Sequence, residues 1–287
     1  MATAIITDSN VSLPASIIEK LPIEIVPLEI HDRGMVYRDG IDISTSEFYS
    51  LQRTAQVLPT TSAPQPSAFL EAFVRAAKNA DDIICLTLSS RLSATYAAAI
   101  MARDAAGISL SHVRVEVVDS LCAGTAQGLI ALAAGRMAND AATTDTLLLN
   151  IDYWRSKVRL YGYLESLYYV WRGGRVPRTV MWLGKLLDVK PVLELSEGKI
   201  GMIERPRTDR RAMDRIVALA KNAAANDQVQ IAVMHAAALH QAEVLAARLS
   251  DELAPKEMFI TEFTPVIGAH TGPGLVGCAV LPLGPRP

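Results

Sequence analysis

The sequence predicts an α/β protein in two parts. The first is an N-terminal three-layer α/β/α unit around a mainly parallel sheet. The second is a C-terminal two-layer α+β unit with a mixed sheet. Three observations predict this. In the first half, short apolar runs alternate with segments of helical period, the rhythm of βαβ units. In the second half, two apolar runs flank Glu197-Gly198, a hairpin-type turn, before helix and strand alternate again. Finally, the 287 residues are 50% apolar with a mean hydropathy of +0.22. That is enough for two cores at roughly 150 residues each.

The elements follow in order. Ala4 to Ile6 is the first strand, ending on Thr7-Asp8-Ser9. Ser12-Leu13-Pro14 caps a helix to about Leu21, with Pro14 at its first position. Ile23 to Ile30 is the second strand, and Ser44 or Thr45 caps the helix through Glu47, Phe48 and Tyr49. Ser67 to Ala77 is a helix, Asp82 to Leu88 a buried strand, and Ser93 to Ala106 an Ala-rich helix. Val113 to Val118 is a strand ending at Asp119-Ser120, followed by a small-residue helix from Ala123 to Asn139. Asp145 to Tyr161 reads as an amphipathic helix. The boundary falls near Tyr153 to Gly162, dividing the chain into residues 1–158 and 159–287.

Leu167 to Arg172 then leads into Gly173-Gly174-Arg175. Val189 to Leu195 and Lys199 to Arg205 are the hairpin strands, and Thr208 or Asp209 caps a helix to about Ala224. Val229 to His235, Leu239 to Ala254 and Met258 to Thr264 read as strand, helix and strand. The glycine-rich stretch 268–277 reads as a loop before a last apolar strand. The Ala-rich helices serve either of two ends: room for a ligand between sheet and helix, or close packing.

Composition excludes several classes. With 28 Lys+Arg against 30 Asp+Glu the net charge is −2, without the basic excess of a general nucleic-acid binder. The apolar content excludes charge-driven disorder. Cys85, Cys122 and Cys278 stand far apart on apolar stretches, which predicts reduced thiols and a cytoplasmic setting. No HExxH is present and the five His are scattered, so no metal is expected. The opening residues lack the basic start and long apolar core of a signal peptide, and no apolar run reaches membrane-span length. Asn10-Val11-Ser12 fits the glycosylation pattern but is discounted on that ground.

Gly272-Pro-Gly-Leu-Val-Gly277 matches GxGxxG without room for a following βαβ unit, so a dinucleotide site is not expected. No GxxxxGK[ST] loop and no GxSxG elbow occur. The strand ends Thr7-Asp8-Ser9, Ser89-Ser90 and Asp119-Ser120 are polar, and in parallel sheets ligands sit beyond the carboxyl ends of the strands.

Four local motifs each allow two readings. Thr60-Thr61-Ser62-Ala63-Pro64 is a turn with a helix cap, or a hydroxyl site. Ser93 is an N-cap, or with the amides of Ala94 and Thr95 it attracts an anion. Arg172-Gly-Gly-Arg175 is a flexible basic turn, or part of a site. His270 between glycines is structural, or a donor to an anion.

Together these segments resemble the DegV family of bacterial fatty-acid-binding proteins, from Ile5 to about Val280. Ile6-Thr-Asp-Ser9 is similar to the family's ITDS, and Thr61-Ser62 with Pro and Phe69 to its TSQPS segment. Leu88 to Tyr96 is similar to ISSGLSGTY, and Val118-Asp-Ser120 to its DS strand end. Arg172-Gly-Gly-Arg-Val176 is similar to KGGRI, 183–191 to LGxLLxIKP, and Gly268 to Gly274 to GTHTGPG. Ala63 and Gln65 depart from the usual Gln and Ser, Arg91 and Ala94 replace glycines, and Arg172 replaces a common Lys.

The resemblance implies a DegV-like two-domain fold with a buried acyl tunnel for a long-chain fatty acid such as palmitate, stearate or oleate. It implies that Thr61 and Ser93 hold the carboxylate, with Ser62, Ala94, Arg175 and His270 completing or bordering the polar cluster. It also implies that Arg207 docks a separate ATP-binding fatty-acid kinase subunit, which forms acyl phosphate for phospholipid synthesis. On that reading the chain has no activity alone and needs no cofactor. Two alternatives stay open: a serine-dependent acyl hydrolase using Ser93 and His270, and a lipid-sensing regulatory protein.

Overall fold

In the computed structural model, which describes residues 2–175 and 189–284, the central strands are buried along nearly their whole length, and their side chains alternate between two covered faces. In chain order, β1 (Thr3–Asp8) leads through a 3-10 turn (Ser9–Val11) and α1 (Ala15–Ile18) to β2 (Ile23–Val26). The hairpin of β3 (Glu29–Asp32) and β4 (Met35–Arg38) is followed by α2 (Thr45–Thr54) and β5 (Thr60–Ser62). Next come α3 (Pro66–Ala76), β6 (Asp82–Thr87), α4 (Thr95–Ser109), β7 (Arg114–Asp119), α5 (Gly124–Asn139) and α6 (Thr144–Lys157). Then β8 (Arg159–Tyr163), α7 (Tyr168–Arg172), β9 (Val192–Ser196), β10 (Lys199–Glu204), α8 (Asp209–Ala224) and β11 (Val229–His235) follow. The last elements are α9 (Leu239–Leu253), β12 (Glu257–Glu262), α10 (Pro265–Thr271) and β13 (Val276–Pro282).

The first sheet has the order β2-β1-β6-β7 and is parallel throughout. Ile6, Ile83 and Cys85 pack on α3 and α4, while Ile5, Ile84 and Leu86 pack on α5 and α6. Both faces are covered, so these strands are nearly continuous apolar runs. The mixed sheet has the order β10-β9-β8-β13-β11-β12, with β11 and β12 its parallel pair. Ile231, Val233, Val276, Cys278 and Val280 face α8 and α9. Ala232, Ala279 and Leu281 face the opposite way, onto α5 and α6. Helix α5 therefore lies between the two sheets, and its sequence is small and apolar around its circumference for that reason.

This answers the question of the small residues. A Cβ on Gly128 would stand 2.6 Å from the Val11 carbonyl oxygen, and one on Gly135 2.6 Å from Ile23 Cδ1. The glycines let α5 approach its neighbours, and the bodies of α4 and α5 serve close packing.

Several expectations are corrected. Ile23 to Ile30 is two strands, because Pro27 has no N–H for a ladder; β3 joins β4 and β5 in a separate antiparallel sheet, order β4-β3-β5. Ser12 caps no helix: it is left-handed (φ 49°) at the end of the 3-10 turn, and Pro14 is the N-cap of α1. The helix predicted to Tyr161 stops at Lys157, since residues 159–163 pair with β9 and β13. The predicted loop at 268–277 begins with the last turns of α10, which starts at Pro265. Ser44, by contrast, closes a full capping box with Glu47, and the β9–β10 turn has Glu197 (φ 49°) and Gly198 (φ 72°) both left-handed, as a two-residue hairpin requires. No helix among the described residues is long and apolar enough to cross a membrane.

Candidate functional site

One cavity of about 380 Å³ lies where the small sheet, α10, α7 and the inner end of the mixed sheet meet. Its walls are greasy: Leu28, Leu88, Leu164, Val170, Phe263 and Leu275, all from one buried apolar cluster, are among the lining residues. Thr61, Ser62, Ser93, Ala94, Arg175 and His270 line the same cavity.

Local structure sets each polar group. Thr61 is opposite Ile30 in the β3–β5 register, and Ile30 is buried in the core, so the Thr61 side chain points inward. There its Oγ1 meets His270 Nε2 at 2.7 Å. His270 lies in the last turn of α10, packed against Gly173, where a Cβ would stand 2.5 Å from Nδ1. That contact explains one glycine of the Gly173-Gly174 pair. Burial, and then the nearby Arg175 charge, push the His270 imidazole down to about 4, so it is neutral at physiological pH.

Arg175 is half-buried, and its guanidinium donates to the carbonyls of Gly173 (2.5 Å) and Leu92 (3.3 Å). No carboxylate pairs with it among the described residues, and burial lowers its pKa. Ser93, in the loop before α4, accepts from the Thr95 amide at 3.3 Å and shares a 2.8 Å hydrogen bond with Thr95 Oγ1. Ala94 is the N-cap (φ −78°, ψ 3°), an ordinary conformation for a residue with a Cβ. Replacing glycine there costs no strain, and of the two predicted amides it is the Ala94 N–H that stays unclaimed among the described residues.

Other predicted residues fall elsewhere. Strand alternation turns Ser62 Oγ to the opposite face from Thr61; it donates to Glu29 Oε2 at 2.8 Å and meets His31 Nε2 at 2.8 Å. Arg91 is exposed and packs beside Gly198 of the hairpin turn, not in the cavity wall. Arg207 is exposed on the segment entering α8, apart from the cavity. Residues 176–188, which hold most of the LGxLLxIKP-like segment, lie outside the described residues.

The polar strand ends are mostly internal braces. Asp8 accepts from the Leu88 amide at 2.7 Å and from Gln127 Nε2 at 3.2 Å. Burial raises its carboxyl to about 7. Ser9 donates to Asp39 Oδ2 at 2.6 Å, and burial raises Asp39 to about 6. Asp119 accepts from the amides of Ser90 and Leu121. Among the described residues the hydrolase arrangement is not formed: Ser93 bonds Thr95, His270 bonds Thr61, and His270 Nδ1 has no acidic partner to orient it. Asn10, whose only sequence signal is the discounted glycosylation pattern, also lines the cavity from the 3-10 turn, as does an apolar wall whose members are scattered from residue 28 to residue 275.

The arrangement is a largely apolar space with neutral donors and the Arg175 cation at its edge; Glu194 also lines it but forms no ion pair with Arg175 among the described residues. It suits a long apolar molecule ending in an anion. The family described as "Uncharacterised protein, DegV family" matches residues 2–283. The chain belongs to the DegV family. A DegV domain-containing protein of Streptomyces coelicolor is 38% identical over 280 residues, 96% of this chain and 97% of that one. A DegV family protein from Thermus thermophilus, described by its fatty-acid binding, superposes with a TM-score of 0.91 at 28% identity, covering 99% and 100% of the two chains. DegV of Bacillus subtilis, a fatty acid binding protein, superposes with a TM-score of 0.87 at 30% identity, covering 98% and 99%.

Proposed function

We propose that the chain binds a long-chain fatty acid in the cavity and presents its carboxylate to a separate ATP-dependent kinase subunit. The observation that carries the binding is Arg175: a half-buried guanidinium without an acidic partner among the described residues, beside neutral His270 and Thr61 at the edge of an apolar cavity. The similar proteins described as fatty-acid-binding point the same way. A sixteen-carbon tail gains on the order of 11 kcal/mol from burial before binding costs, at about 0.8 kcal/mol per CH₂. The carboxylate must be hydrogen-bonded to be buried at all. Thr61, Ser93, the Ala94 amide, Arg175 and His270 are the donors in this reading. His270, neutral, donates through one ring nitrogen and adds no second charge.

The presentation role rests on the exposed Arg207 and on a sequence without a phosphate-cradling loop of its own. Native mass spectrometry tests the first half: the purified protein should carry a long-chain acid and, once delipidated, take up palmitate, stearate or oleate. A protein that stays empty with all three refutes it. The second half requires acyl phosphate to form with ATP only when an ATP-binding subunit is added, and to fall sharply for Arg207→Glu.

A further inference from the structure

A second polar group faces the same cavity from its far side, and its orientation is fixed by hydrogen-bond logic. Gln127 Nε2 points at three acceptors: Thr7 Oγ1 (3.0 Å), Asp8 Oδ2 (3.2 Å) and the Leu86 carbonyl (3.2 Å). Thr7 gives its own proton to the Leu86 carbonyl at 2.8 Å, so it accepts from Gln127. The Gln127 amide therefore has one orientation, with Oε1 turned to Asn10, and Asn10 Nδ2 donates to it at 2.8 Å. This leaves Asn10 Oδ1, an acceptor with two lone pairs, without a hydrogen bond to any described residue. Asn10 is 3% exposed and lines the cavity next to leucines and Phe263. With its amide nitrogen spent on Gln127, Asn10 offers the cavity an acceptor, and a donor on the cavity's occupant can satisfy it there.

Its place along the cavity follows from α10. The residues flanking Asn10 are tied to the start of that helix, since the Ser9 carbonyl accepts from Thr264 Oγ1 and Ser12 Oγ from the Thr264 amide, each at 3.3 Å. His270 is in the last turn of the same helix. Six residues at about 1.5 Å each separate the two ends by roughly 9 Å.

We propose that Asn10 is a specificity residue for acyl chains that carry a hydroxyl in mid-chain, its Oδ1 accepting the hydroxyl proton while the carboxylate lies at His270 and Thr61. The inference rests on the fatty-acid reading above and adds a ligand subclass to it. An acceptor oriented by Gln127, which is itself fixed by Thr7, Asp8 and Leu86, also disfavours a plain methylene opposite it.

The test is competition on delipidated protein, read by native mass spectrometry. Equimolar stearic acid competes in turn with 2-, 8- and 10-hydroxystearic acid. The 8- or 10-hydroxy acid should be retained about five- to tenfold over stearic acid, the yield of one good hydrogen bond, with no such gain for the 2-hydroxy isomer. Asn10→Leu should remove or reverse the preference. If that variant does not fold, the isomer series on the unaltered protein decides alone. Equal retention of stearic and mid-chain hydroxy acids, or a preference that survives in folded Asn10→Leu, overturns the inference while stearate binding stands. Failure to retain any of the four acids overturns the fatty-acid reading, and this inference with it.

Discussion

Two polar clusters occupy the same dry interior and treat their hydrogen bonds in opposite ways. At the end of β1, Asp8, Gln127 and Thr7 spend their capacity on each other and on the Leu88 and Leu86 backbone. At the cavity edge, Arg175 leans on two carbonyls, His270 Nδ1 has no partner, and Thr61 has one hydrogen bond. A closed network is a brace, and an incomplete one is a receptor. The difference teaches that polarity at a strand end says little by itself; what matters is whether the groups nearby use it up.

The largest expected effect breaks the brace. Asp8→Ala strands the Leu88 amide and the Gln127 side chain, and should cost roughly 3 kcal/mol or more in urea unfolding. An intact unfolding midpoint would mean that the network is not structural. Next comes pH. Asp8 (about 7) and Asp39 (about 6) both titrate above the unfolded value of 3.8, so between pH 4 and 7 the folded state holds more protons. Stability must then fall as pH rises through that window, by several kcal/mol at about 1.4 kcal/mol per pKa unit, and Asp8→Asn should flatten the slope. A stability that climbs steadily from pH 5 to pH 8 contradicts this assignment.

At the receptor end the effects should fall on ligand rather than on fold. Arg175→Leu should weaken fatty-acid retention about 10- to 100-fold with little change in melting temperature. Equal retention by this variant would move the carboxylate elsewhere. The smallest effect is Thr61→Val, expected to weaken retention about three- to tenfold in a fluorescent fatty-acid displacement assay. A larger drop in stability than in affinity would make Thr61 a brace as well.

Much of this was legible in the sequence. Two-sided burial makes long apolar runs, so β1, β6 and β11 stand out, and capping chemistry marks α2 and α8. Thr61, Ser93, Arg175 and His270 came from motif resemblance, and they converge on one cavity. β8 was hidden because its alternation of Tyr161 and Tyr163 directly follows a helix and shares its apolar content. Ser62 shows the opposite case: its motif is present, but strand pairing with Glu29 carries its hydroxyl to the wrong side. Asn10 carries no local signal of its place in the cavity, because what distinguishes it is a glutamine 117 positions away.

The placement of α5 has a mechanical consequence. A wall shared by two rooms cannot be moved without opening both. Its flanks touch Ile84 and Leu86 on one side and Ala232 and Ala279 on the other, so swinging the sheets apart would wet two cores at once. Heat should therefore dismantle the chain in one calorimetric peak.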